Sequence, residues 1–490
     1  MDRRGLTLAA LTLFVMGTVA AACGGKVGAG GGGAASIVPA IVPAFIALDT
    51  DTESSQWQTV DELASRFPDK VKAVDSLKQS LREDDGLDFD KDVKPALGPE
   101  VDIAWLDFDN GGEDVVGLVQ PRDEAAFERL IAKGNAKDPE DKLYHAQVGD
   151  WQAFSDKQSV LDRFRQESSA TGGKLADDET FKRAMDAVPG DSLVKAYVNG
   201  PSLLDAVNEY GDPSVSDLLA RAGTLDWIVA GLQVSDDGVR FDTVVRGTPG
   251  ELFNSAHVTQ PYEAKLPSRV PSDALAYFTF HGAEGMLSGL TKTPQLSSPE
   301  LRPLVKVLRD VESLLQGENA LYVRGGSESS KYPEVTLVTE PKAGTDGAAT
   351  VDGILRENSS SLGVEPSHTT IDGIPARAID LGPVQLYYAN VDGNLVVTDS
   401  GDGLRSFAHP SETLAGSSDF EQTAHASGLP SKTQGYLYVN VRGGVELAQK
   451  LSQTQIPDEV KRNLSPLRSV LEYTATRPSE LQVTFFVRIA

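Results

Sequence analysis

The chain has 490 residues, 40% of them hydrophobic and 24% charged, which is enough apolar content for a buried core and too much for a disordered tail. Asp and Glu number 71 against 45 Lys and Arg, a formal net charge of −26. That balance excludes a general nucleic-acid binder, because phosphate recognition rests on clustered basic side chains.

Residues 1–22 read as a lipoprotein signal peptide: Arg3 and Arg4, the apolar run Leu6 to Met16, then Ala20, Ala21 and Ala22 before Cys23. The run is shorter than the roughly 20 residues a membrane span needs. Small residues ending at a cysteine resemble the lipobox of bacterial lipoproteins, in which the thiol takes a diacylglycerol and the signal is cut just before it. Ala20 stands where Leu is commoner in that motif. Cys23 is the sole cysteine, so no intramolecular disulfide can form, and lipidation is its expected role. Residues 23–37 carry GGKVGAGGGGAAS, a flexible tether of about 20 Å mean reach by random-coil scaling. Removing Asp2, Arg3 and Arg4 takes away a net +1 and leaves −27, a charge that anionic lipid repels. Membrane attachment is therefore expected through the lipid on Cys23, at the extracytoplasmic face of the cell membrane.

The rest of the chain repeats itself. TFKRAMDAVPGDSLVKAYVNGPSLLDAV (180–207) pairs with DFEQTAHASGLPSKTQGYLYVNVRGGVELA (419–448), each reading helix, turn, strand ending Tyr-Val-Asn, helix. DWQAFSDKQSVLDRF pairs without a gap with GNLVVTDSGDGLRSF, and Leu118 is aligned with Leu337. The openings Val42-Pro43-Ala44 and Val270-Pro271-Ser272 are matched as the entries to the first strand of each copy. The second copy gains residues around HTTIDGIPARAIDLGPV, where the turn pairs Asp372-Gly373 and Gly382-Pro383 predict an added β-hairpin. The first copy is longer early on, where WQTVDELASRF and VKAVDSLKQSL predict two helices separated by Pro68. Alternating or apolar runs such as VDIAWLDFD, DWIVAGLQV and LQVTFFVRI predict strands. The fold class expected is α+β: two homologous repeats, 38–265 and 266–490, with mostly antiparallel sheets and helices packed on one face. The repeats are read either as separate beads or as halves sharing one sheet, the short junction favouring the second.

At VPAFIALDTD (42–51), Trp57, Arg66-Phe67-Pro68 and GLDFDKDVKPALG (86–98), the chain resembles a family of uncharacterised actinobacterial secreted lipoproteins, classed as a domain of unknown function. The resemblance covers essentially the whole mature chain, most densely 38–135. That family's opening commonly reads Val-Pro-Ala-Asp; here Phe45 follows Ala44, while the second copy keeps Asp273. The resemblance implies the compartment and the duplicated fold, and brings no catalytic residue with it.

Chemistry is sparse. None of His145, His257, His281, His368, His409 and His425 stands with another His or with Cys at metal-ligand spacing, so no metal site is expected. There is no Gly-x-Ser-x-Gly, Walker loop or dinucleotide fingerprint, and no cofactor is expected. Three acidic runs, Asp49-x-Asp51-x-Glu53, Asp88-x-Asp90-x-Asp92 and Asp107-x-Asp109-x-x-Gly112, match calcium loops only in part. Ser155-Asp156 and Thr398-Asp399 recur between a strand and a helix, where capping is the expected role and a symmetric acid–base pair the alternative. The neighbours Tyr387-Tyr388 and Phe485-Phe486 must point to opposite faces of their strands, so both faces need cover. The function expected is that of a non-enzymatic, membrane-anchored binding or scaffolding lipoprotein whose partner, an envelope protein or an apolar ligand, the sequence does not identify. A carrier of an apolar, lipid-like ligand is the alternative, and a hydrolase with a dispersed site the third.

Overall fold

The structure, a computed structural model, describes residues 33–211, 223–249, 260–282, 311, 314–326, 332–357, 363–382, 384–451, 456–477 and 479–490. The expected signal peptide, Cys23 and most of the tether lie outside the described residues, as do His257 and Pro383. The contacts divide the chain into two compact units at Thr248/Pro249. Among the described residues no helix is long and apolar enough to cross a membrane.

The first unit is built on β1 (Ala44–Asp49), β2 (Glu100–Trp105), β3 (Val115–Val119), β4 (Tyr144–Val148), β5 (Trp151–Ser155), β6 (Val194–Asn199), β7 (Gly223–Ser235) and β8 (Gly238–Pro249). Strand pairing gives the order β4-β5-β3-β2-β1-β6-β7, antiparallel throughout. Its helices are α1 (Ser55–Ala64), α2 (Lys70–Asp84), α3 (Glu124–Lys137), α4 (Gln158–Ser169), α5 (Glu179–Asp186) and α6 (Gly200–Tyr210). The helices expected on either side of Pro68 are α1 and α2.

The second unit contains β9 (Ala274–His281), β10 (Glu318–Arg324), β11 (Glu334–Thr339), β12 (Ser367–Ile371), β13 (Ile374–Asp380), β14 (Gln385–Val391), β15 (Asn394–Thr398), β16 (Gly435–Asn440) and β17 (Leu467–Arg477), with Val483–Ile489 of the closing strand β18 (Glu480–Ile489). Here α7 is Gly347–Glu357, α8 Gly401–Ala408, α9 Ser418–Ala426, α10 Val441–Leu451 and α11 Asp458–Leu464. The strand order is β12-β13-β14-β15-β11-β10-β9-β16-β17. With β12 and β13 removed it matches the first unit strand for strand, so the α+β duplication is found. The added pair is the predicted hairpin; Asp372 and Gly373 in its turn both have positive φ, 48° and 82°, the geometry a tight two-residue hairpin turn requires.

Register corrects two of the sequence alignments. Phe45 faces Tyr197 as Tyr277 faces Tyr438, so the equivalent residues here lie 232 apart. The counterpart of Val270-Pro271 is then Val38-Pro39 rather than Val42-Pro43: Leu175 N–H donates to Val38 O at 2.9 Å, and Leu414 N–H donates to Val270 O at 2.7 Å. Two Val-Pro pairs stand four residues apart in SIVPAIVPAF, and the alignment took the one nearer the strand. Leu118 likewise corresponds to Val338 instead of Leu337, because Leu118 pairs with Asp102 and Ala153 as Val338 pairs with Ala320 and Val396. A slip of one residue exchanges the two faces of a strand, and both Leu118 and Val338 are fully buried.

The helices do not keep to one face. In the first unit Leu161 and Phe164 of α4 and Phe181 and Met185 of α5 pack with Phe45, Ala104, Leu118 and Trp227. On the opposite face Ala126, Phe127 and Ile131 of α3 pack with Leu48, Ile103, Val119 and Phe154. The second unit repeats this, with Leu404 and Phe407 of α8 on one face and Ala348 of α7 beside Tyr388 and Leu395 on the other. Runs such as Val115-Val116-Gly117-Leu118-Val119 are apolar at successive positions, so both sides of the sheet shed water and both recruit helices. The segment 260–265, placed in the first repeat by its polar, proline-punctuated sequence, packs with the second unit: Tyr262 bridges to Thr433, and its hydroxyl lies 2.7 Å from Thr279 Oγ1.

Candidate functional site

A polar cavity of about 460 Å³ lies in the second unit, between the loop after β10, the end of α8 and the loop that follows it, lined by Ser272, Asp273, Arg324, Glu334, Arg405 and His409, among others. Arg324, at the end of β10, organises it. Its guanidinium donates to Asp273 at 2.7 and 2.8 Å, to Glu334 at 3.0 Å and to Ser406 Oγ. Burial works against its charge, but the Asp273 hydrogen bonds and nearby Glu334 raise its pKa overall, so it stays charged. Ser400 donates its hydroxyl to Glu334 and accepts Gly403 N–H at 2.9 Å, so Glu334 is held from two sides. Ser406 donates to Gly403 O at 3.2 Å, so its proton points at a backbone carbonyl rather than a base. Arg405 is likewise committed, to Asp372 of the added hairpin and to Asp402. Arg324, Asp273, Glu334, Ser400 and Ser406 are thus tied into one network, which with the Arg405 pairs fixes the geometry of the loops around the cavity.

The first unit holds the same ion-pair node by another route. Glu334 corresponds to Asp114, Ser406 to Arg163 and Arg324 to Leu106. There Arg163, on α4, reaches Asp107, Asp114 at 3.5 Å and Glu167 at 2.9 Å. Sequence reading passed over both arginines; Arg324 lies in LYVRGG, where a charged residue closes an apolar strand, and that was the available signal.

The residues singled out from sequence are not brought together. His145 stands on edge strand β4 against Phe127, and His368 on β12. His281 ends β9, 5.1 Å from the Tyr262 ring, His409 follows α8, and His425 lies on α9. In the first acidic run Asp49 accepts Asp51 N–H at 2.8 Å, and Asp51 accepts Glu53 N–H at 3.2 Å and pairs with Arg122 at 2.5 Å. In the second, Asp88, Asp90 and Asp92 pair with Arg82, Lys78 and Lys133. In the third, Asp107 accepts Asp109 N–H at 3.0 Å. Among the described residues no group of three or more His, Cys, Asp or Glu could hold a metal ion.

The expected helix caps are also reassigned. α4 has no side-chain cap: Ser155 donates to Val115 O at 2.8 Å. In the second unit Ser400, one residue later than expected, caps α8, while Asp399 accepts Val335 N–H at 3.0 Å and ties β11 instead. Ser155 and Asp399 thus secure strands, and Asp156 accepts from Ser155 Oγ at 3.4 Å.

A family profile described as "Protein of unknown function (DUF3352)" matches residues 6–121 and 128–488. The chain belongs to this family. The expected membership in a family of unknown function is thereby met, and the family assigns no activity. Among curated proteins none matches the chain. Of solved structures, crystal form IV of TP0453 is 15% identical, covering 46% of this chain and 80% of that one at a TM-score of 0.25. Crystal form III is 16% identical over 46% and 79% at 0.26. These scores are too low to define a shared fold.

Proposed function

We propose that the protein is an extracytoplasmic lipoprotein, held to the cell membrane by a diacylglycerol on Cys23, whose two α+β units serve as a binding or scaffolding body without catalysis. The observation that carries the anchor is the sequence Ala20-Ala21-Ala22-Cys23 after an apolar run too short to span, followed by a glycine-rich stretch. The scaffolding role is supported by the network around Arg324, in which Asp273, Glu334, Ser400 and Ser406 are engaged in holding loops. Mass spectrometry of the N-terminal peptide from the membrane fraction of an actinobacterial host tests the anchor. The expected peptide starts at Cys23 and carries the diacylglycerol mass, and Cys23→Ser moves the protein to the supernatant; a free thiol on a soluble, cleaved chain overturns the reading.

A second reading, a carrier of an apolar ligand, is favoured by one feature of the second unit. Phe278 and Leu321 are register partners, and with Val335 they remain 42%, 41% and 38% exposed. Native mass spectrometry of the Cys23→Ser protein, before and after organic extraction, distinguishes the two. A stoichiometric lipid mass supports the carrier, and a bare chain mass supports the scaffold.

A further inference from the structure

Where the described chain begins, three carboxyls converge. Glu100 and Asp102 lie two residues apart on β2 and so on one face of it, and Asp49 is the register partner of Glu100 on β1. Against them sits the helical turn Ala34–Ser36, with Ala34 and Ala35 fully buried. Ala34 N–H donates to Asp102 Oδ2 at 3.2 Å, and Gly33 lies so close that a Cβ there would stand 2.2 Å from Glu100 Oε1. Beyond the turn, Ala40 N–H donates to Gly173 O at 3.0 Å and Pro39 bridges to Lys174.

The same seat in the second unit uses one carboxylate. Glu318, the counterpart of Glu100, accepts Lys265 N–H at 2.8 and 3.0 Å and Leu266 N–H at 2.9 Å. Ala320 and His281 occupy the positions of Asp102 and Asp49. The first unit has therefore doubled the acid. Asp102 Oδ1 is fully buried with no donor among the described N–H and O–H groups, and the group beside it is the Glu100 carboxyl, to which it can hydrogen-bond only through a carboxyl proton.

We propose that Glu100 and Asp102 form a proton-dependent seat for Gly33–Ser36, holding the turn in place when a proton lies between them and releasing it when both are ionised. Among the described residues no cation meets the pair. Lys195 lies in the same row two strands away, but its Nζ bonds Met185 O at 3.4 Å and is drawn toward Asp186 and Asp191. Arg122 is paired with Asp51, the next acid after Asp49. On the turn Leu175–Asp177 that packs against the seat, Asp177 adds a further negative charge, and the neighbouring Lys174 donates to Ser168 O.

Burial pushes Asp102 well above the usual carboxylate range and raises Glu100, and it lifts Asp49 to about 6. All three folded values exceed the unfolded ones, so the folded state holds protons that the unfolded chain releases. The cost is absent below the ordinary carboxylate range near 4, grows as pH rises through Asp49 at about 6, and is complete only once Asp102 and Glu100 have also lost their protons. Releasing residues 33–40 would raise the mean reach of the glycine-rich lead from about 17 Å to about 23 Å, so the distance between anchor and body would respond to envelope pH. That consequence rests on the anchored reading, whereas the seat does not.

The test is hydrogen exchange on the full mature chain carrying Cys23→Ser, from pH 5 to pH 8, with rates corrected for intrinsic exchange and referenced to the β6 peptide. Protection of peptide 33–42 is expected to fall at least tenfold relative to β6 as pH rises, and Glu100→Gln is expected to abolish the fall. Asp102→Asn, which keeps an acceptor for Ala34 N–H, is the second variant and should do the same. A flat profile in the Cys23→Ser chain without further substitution, or an undiminished fall in either variant, overturns the proposal. None of these outcomes depends on whether Cys23 is lipidated.

Discussion

In the first unit the guanidinium that faces the acidic end of β3 comes from a helix, as Arg163; in the second, the one facing the equivalent end of β11 comes from a strand, as Arg324. The positions have traded occupants: Leu106 stands where Arg324 would be, and Ser406 where Arg163 would be. The fold therefore demands a cation at a point in space, and either neighbouring element can deliver it. The environments differ as well. Glu334 has a side chain only 4% exposed, whereas Asp107 and Asp114 remain 22% and 24% exposed. Asp273 reaches water, so the contrast rests on Glu334, the driest acid of either node and the one that depends most on its cation.

Several changes would break or sharpen this contrast. The largest effects should come from the shared cores: Phe164→Ala and Phe407→Ala, at equivalent fully buried positions, are each expected to cost about 3–5 kcal/mol. Hydrogen exchange should show the loss concentrated in the unit that carries the change, and equal loss in both units would contradict separate cores. Arg324→Ala strands Glu334 and should cost about 2–3 kcal/mol in denaturant titration. Arg163→Ala should cost about 1 kcal/mol or less, because its partners reach water. Equal costs would dissolve the distinction.

A smaller, pH-dependent effect belongs to Asp49, absent in the second unit, where His281 takes its place. Asp49→Asn should stabilise the first unit by about 1–2 kcal/mol at pH 7.5 and by almost nothing at pH 4, after allowing for screening of a partly hydrated group. Thermal melts across that range check the sign. Smallest of all, Ser400→Ala should cost about 1 kcal/mol as a lost cap, while Asp156→Ala, which caps nothing, should stay within about 0.5 kcal/mol.

The duplication, the added hairpin and the α1–Pro68–α2 break were legible in the sequence, because each is written locally in turn pairs, helical spacing or a repeated Tyr-Val-Asn. Register was not. The choice between Val38-Pro39 and Val42-Pro43, or between Leu337 and Val338, depends on which residue faces Ala153 or Val396 across the sheet, and adjacent apolar residues offer no local mark. Helices on both faces follow from the same apolar runs, and the adjacent Tyr387 and Tyr388 had pointed that way. The ion-pair nodes were hidden because their members lie 49 or more residues apart, except where α4 pairs Arg163 with Glu167 and where Arg324 meets Glu334 across β10 and β11.

Gly33 closes the glycine run and also belongs to the fold, since the space a side chain would take is filled by Glu100. Low-complexity runs ordinarily drift in composition and length with little penalty. Here one position is fixed: a residue larger than glycine at Gly33 must displace the Glu100 carboxyl that fills its place.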